Sequence, residues 1–151
     1  MNRNLVAAAL LGLALGAAYA WLSGQAPDPS AADAVAEDCR PTGQPCRLEA
    51  DGGAVTLELP ADVRTLAPFH LRASLEGFAE VEEVVARFDM SGMDMGENRY
   101  RLEPSGEEDE WRVEAMLPVC TADRVDWFVA VTVRHAEGRT RFVFPFEVSE
   151  R

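Results

Sequence analysis

Seven short stretches of this chain alternate apolar and polar residues with a period of two, and nothing after residue 38 keeps a helical period. A period of two sends successive side chains to opposite faces of a strand, so one face of each stretch is apolar. Ala54–Leu59 places Val55, Leu57 and Leu59 together, and Phe69–Leu75 does the same with Phe69, Leu71, Ala73 and Leu75. Val84–Met90 aligns Val84, Ala86, Phe88 and Met90, and Arg99–Glu103 is a shorter segment. Trp111–Leu117, Val125–Arg134 and Thr140–Val148 continue the pattern, the last with Phe142, Phe144, Phe146 and Val148 on one side. Gly, Pro and acidic residues punctuate them, as at Asp51-Gly52-Gly53, Pro104-Ser105-Gly106 and Glu137-Gly138.

Short strands with turn signals between them predict an all-β domain, an immunoglobulin-like antiparallel β-sandwich of about seven strands, with a small barrel as the alternative. Pro145 cannot donate to a ladder, so it suits an edge or a bulge in the last strand.

Ahead of the strands, Leu5 to Leu22 is an uninterrupted apolar run that follows a polar start with one Arg. As a helix it spans about 27 Å, close to the apolar core of a bilayer. Ala18-Tyr19-Ala20 fits a small-x-small cleavage site, which reads as a removed signal peptide. Trp21 and Leu22 carry the run past that site, which reads as a retained anchor with Tyr19 and Trp21 at the interface. Both readings export the rest of the chain. Residues 23–38 are small, acidic and Pro-containing, a flexible linker. The predicted order is a signal peptide or signal anchor at 1–22, a linker at 23–38 and one β domain at 39–151, at the periplasmic face of the membrane or free in the periplasm after cleavage.

Charge and motifs narrow the function. The chain holds 14 basic residues, all Arg, against 26 acidic ones, for a formal charge of -12. Such a surface repels phosphate backbones, so nucleic acid is not an expected partner. No P-loop, dinucleotide-binding glycine turn or nucleophile elbow is present, and an enzyme is not expected. The two histidines, His70 and His135, lack ligand spacing and read as surface residues. Cys39 and Cys46 bracket a turn-rich loop and predict a disulfide in an oxidising compartment. Cys120 is then left over, as a buried thiol, an intermolecular partner or a metal ligand.

Methionine carries the sharpest signal. Met90, Met93 and Met95 fall within six positions of a Gly-flanked stretch where a strand ends. Met93 and Met95 are two apart and point the same way if the segment is extended. Thioethers are soft, neutral ligands that need no deprotonation and prefer Cu(I) to hard cations. Met93 and Met95 are therefore candidate Cu(I) ligands, with Cys120 as a thiolate that strengthens the site if it lies close. Met90, in phase with Phe88, fits the core as well as it fits a ligand, and Met116 is a further candidate sulfur. An exposed docking patch for another protein, or simple packing, are the other readings of Met93 and Met95.

The residues Met93-Asp94-Met95-Gly96-Glu97-Asn98-Arg99, followed by Leu102, Trp111, Leu117-Pro118-Val119-Cys120 and Trp127, resemble a family of small proteobacterial envelope proteins. Its marks are an N-terminal apolar segment, an M-x-M-G-x-N-R element and a later L-P-x-C. These proteins are often encoded beside Sco/SenC-type copper chaperones and are similar in architecture to FixH/YtkA-like domains. The resemblance covers residues 39–148. It implies copper binding, a copper chaperone or a cuproenzyme as partner, and a part in copper delivery or cytochrome oxidase assembly. The rival expectation is a metal-free envelope interaction module that docks on a membrane complex.

Overall fold

The computed structural model describes residues 33–50, 52–93, 95–119 and 126–148. The predicted export segment, the first ten residues of the linker, Asp94 and Cys120 lie outside the described residues. Nine strands follow one another: β1 (Ala34–Val35), β2 (Cys46–Ala50), β3 (Gly53–Glu58), β4 (Pro68–Glu76), β5 (Glu83–Met90), β6 (Arg99–Pro104), β7 (Glu110–Met116), β8 (Asp126–His135) and β9 (Gly138–Glu147). No helix occurs among the described residues.

The strands form one mixed sheet in the order β1-β9-β8-β5-β6-β7-β4-β3-β2. The sheet curls until its two ends, β1 and β2, touch. The result is all-β, as expected, but a nearly closed barrel-like sheet rather than a clear sandwich. β6 makes the difference. Its first residues pair with β5, from Arg99 opposite Arg87 to Leu102 opposite Val84. Its last two turn to β7, with Glu103 opposite Arg112 and Pro104 opposite Trp111. One strand thus joins what a sandwich keeps as two separate layers.

The count exceeds the expected seven because of β1 and β2, whose few residues carry no visible alternation. β1 runs parallel to β9, so the sheet is not purely antiparallel. The Asp33 amide donates to the Arg141 carbonyl at 2.9 Å, and the Arg141 amide donates to the Asp33 carboxylate at 2.7 Å. The folded part therefore reaches back to Asp33, into residues whose composition reads as linker. Pro145 sits beyond the two β9 residues that β1 covers, where β9 is an edge and a missing N–H does no harm.

The apolar phases face inward as the alternation predicts. Val84, Ala86, Phe88 and Met90 are wholly buried, as are Val129, Val131, Phe142 and Phe144. The opposite face of β8 and β9 is also apolar at Phe128, Ala130 and Val143, which form a second buried cluster apart from the core. Burial of this apolar surface is the main favourable term in folding.

Cys39 and Cys46 form the expected disulfide, with Cα atoms 5.6 Å apart, inside the range such bonds require. It ties the lead-in to β2, whose Cys46 side chain is buried. Reduction, or the Cys39→Ser/Cys46→Ser variant, is expected to lower stability by about 2–3 kcal/mol, the chain-entropy value for so short a ring. Urea unfolding with and without reductant checks this; coincident curves would contradict it.

Candidate metal centre

The sulfur side chains gather at one end of the barrel because of strand direction. β5 ends at Met90, which pairs with Trp127 at the start of β8. β7 ends at Met116, which pairs with Pro68 at the start of β4. β6 begins beside the end of β5, where the Phe88 amide donates to the Asn98 carbonyl at 3.0 Å. Tyr100 then bridges from β6 to the end of β7. Its hydroxyl donates to the Met116 carbonyl at 2.7 Å and accepts from the Met116 amide at 3.2 Å. β2 also starts at this rim, with the disulfide. Met90, Met93, Met95, Met116 and the Cys39–Cys46 pair thus share one end of the fold. The described chain reaches Val119, the residue before Cys120, on the same side.

The loop from 91 to 98 is built for a tight reversal. The Met93 amide donates to the Met90 carbonyl at 3.1 Å, closing a four-residue turn through Ser91 and Gly92. Gly92 has φ +73°, which the third position of a type II turn demands. No atom lies within 4 Å of where its Cβ would stand, so backbone conformation rather than space selects glycine. Met90 and Met93 consequently face each other as an antiparallel bridge. Side chains of such a pair project to one face, with Cβ atoms about 5 Å apart.

Burial separates the four methionines. Met90 is wholly buried, as its core phase implies. Met93 and Met95 are half-buried and pack against the core. They do not stand clear of it, as a Gly-flanked turn suggested. Met116 faces the outer surface of its sheet with Arg112 and Glu114, and is 46% exposed. The thioethers form a gradient from interior to solvent across one rim. Among the described residues no group of three or more His, Cys, Asp or Glu is placed to hold a metal ion. The donors at this rim are soft.

Asn98 was quoted in the sequence motif without a role. It is 7% exposed, and its Nδ2 has no hydrogen-bond partner among the described residues. Its backbone does the visible work, closing the loop through the Phe88 bond and a 2.9 Å bond from its amide to the Gly96 carbonyl. Tyr100 was not singled out either, because its role depends on Met116, sixteen positions away.

The histidines stand away from the sulfur loop. His70 is exposed on β4, 4.0 Å from the Glu114 carboxylate. His135 is not a surface residue as expected. It is buried at the far end of β8, with Nε2 3.1 Å from the Thr140 hydroxyl and its ring against Phe78. The acidic run Glu107-Glu108-Asp109-Glu110 caps the β6–β7 hairpin, where the Ser105 amide donates to the Glu110 carbonyl at 2.9 Å. A hollow of about 1040 Å³ lies on the outer face between β4, β6 and β7, lined by both signs of charge, including Arg72, Arg112, Glu103 and Glu114. Arg72 is paired there with Glu58 at 3.1 Å, the pattern of a solvated charged face.

No protein-family model matches the chain, and no curated protein matches it. Among solved structures, a crystal structure of an engineered protein is similar over 71% of this chain, with a TM-score of 0.46 and 19% identity. The chain spans about a fifth (20%) of that protein's length.

Proposed function

We propose that this is a non-enzymatic envelope protein whose β domain binds Cu(I) through Met93 and Met95, with Met90 and Cys120 as further donors. It holds or passes copper during cuproenzyme assembly, cytochrome oxidase assembly being the case the M-x-M-G-x-N-R resemblance implies. The segment at 1–22 either tethers it at the periplasmic face or is removed after export. The strand pairs β4–β7 and β5–β8–β9, with β1 parallel beside β9, are those an immunoglobulin-like chain would form.

One observation carries the copper reading: Met90, Met93, Met95 and Met116 share a single rim, although three different strands and a loop bring them there. Core methionines used as gap-fillers have no reason to collect at one end. Titration of the full chain in detergent against a Cu(I)-specific chelator tests it. The expected result is one tightly held Cu(I) per chain; no competition with the chelator would contradict it.

The pH dependence identifies the donors. A thioether binds no proton, so affinity from methionine alone stays level between about pH 5.5 and 7.5. Imidazole ligands protonate as pH falls through about 6.5, so a histidine site weakens across that window. A thiolate contribution from Cys120 falls about tenfold per unit below the thiol pKa of about 8.5. The expected profile is flat for Cys120→Ser and no steeper than one proton for the parent chain. A profile that breaks near 6.5 in Cys120→Ser would contradict the assignment.

A second reading, a metal-free module that docks on a membrane complex, is favoured by a different feature: Leu66, Met116 and Val119 are exposed apolar residues at the same rim.

A further inference from the structure

We propose that Met116 is the exit ligand of this site, the thioether that takes Cu(I) from Met93 and Met95 and presents it to an acceptor carrying soft donors. The inference rests on the copper reading above and adds a direction to it. Exposed large apolar side chains are scarce on this acidic surface: Val35, Leu66, Met116 and Val119 are those the described residues show. Three of the four sit at the sulfur rim.

Each of the three is held in place. The Leu66 amide donates to the Leu117 carbonyl at 2.9 Å, and the Leu66 backbone has φ +58°, a region side-chain-bearing residues seldom adopt. The side chain this presents is 63% exposed. Neither backbone preference nor burial accounts for leucine there, and such conformations cluster at functional surfaces. Val119 follows two residues after Leu117 and is 58% exposed.

Met116 lies between them in the chain. Both its backbone polar groups are taken by the Tyr100 hydroxyl, in place of a neighbouring strand. That bond links the end of β7 to the strand that leaves the methionine loop. It fixes a flexible thioether on the outer side of the rim, while Met93 and Met95 occupy the half-buried side. The step is a ligand exchange. A bond from copper to the Met93 or Met95 sulfur breaks as one to the Met116 sulfur forms, and the Met116 bond then yields to the acceptor's donor. Copper stays Cu(I), and no proton or electron moves.

The test uses the full chain in detergent, loaded with Cu(I) and mixed with bathocuproine disulfonate as acceptor, with transfer followed by stopped-flow absorbance. Met116→Leu is exposed and near in volume, so the fold is retained. It is expected to keep Cu(I) affinity within about twofold while slowing transfer about tenfold or more. Met116→Cys, which restores a soft donor, is expected to regain transfer. An unchanged rate in Met116→Leu overturns the inference, and so does an affinity loss equal to that of Met93→Leu, which makes Met116 an ordinary ligand. Failure of the parent chain to take up Cu(I) overturns the copper reading itself, a result distinct from both.

Discussion

Replacing Met93 and Met95 together with leucine is expected to weaken Cu(I) binding by at least about a hundredfold, roughly 2.8 kcal/mol, without unfolding the domain. Leucine is close to methionine in volume, and such exchanges in packed sites usually cost under about 1.5 kcal/mol. The two side chains are half-buried against the core, so leucine keeps their packing and removes only the sulfur. The double variant therefore separates a ligand role from a packing role. Chelator competition reads the affinity, and circular dichroism with urea unfolding reads the fold. Unchanged affinity would return both residues to packing or docking. Met90→Leu provides a graded comparison. Met90 is wholly buried opposite Trp127, and its replacement should affect binding less if its main contribution is to the core.

Phe88→Ala is expected to produce the largest loss of stability, about 3–5 kcal/mol, the range for deleting a buried aromatic ring. Phe88 is fully buried on β5. Its ring meets three others edge-on: Phe69 at 5.6 Å, Tyr100 at 5.9 Å and Phe146 at 6.0 Å. Those partners come from β4, β6 and β9, so one ring holds strands from both sides of the barrel. A domain of this size has a net stability of about 5–15 kcal/mol, and the loss is a large share of it. Urea unfolding should show a lower midpoint with an unchanged slope. Because Tyr100 also clamps Met116, the same variant should loosen the rim, and copper binding should weaken with stability. A loss below about 1 kcal/mol would show that the barrel closes without this cluster.

The parts of the fold that rest on local periodicity were readable before any coordinates. Val84 to Met90 and Phe142 to Phe146 show their inner faces as a simple alternation, and the structure buries those residues. The additional strands were hidden for a local reason. β1 is two residues long, and β2 has only Leu48 and two flanking small residues to mark a face. Closure was hidden for a long-range reason. Nothing in Arg99–Pro104 announces that its first residues pair with β5 and its last with β7, because that choice is set by where the partner strands lie.

The candidate site divides along the same line. The spacing of Met90, Met93 and Met95 and the turn glycine Gly92 are local, and the structure places that turn where the spacing suggested. The company that Met116 keeps is not local. It depends on β5 and β7 ending at the same rim and on a tyrosine hydroxyl crossing between strands. Asn98 and Tyr100 were missed because their roles are made by partners distant in the fold. The buried position of His135 was missed for a related reason, since Phe78 and Thr140 reach it from other parts of the chain.

X-ray absorption at the copper edge, on the full chain loaded with one equivalent of Cu(I), addresses the central claim most directly. The account predicts a first coordination shell of sulfur alone, which loses scatterers in Met93→Leu/Met95→Leu. A shell of nitrogen or oxygen in the parent chain, or copper that washes off before measurement, would contradict it.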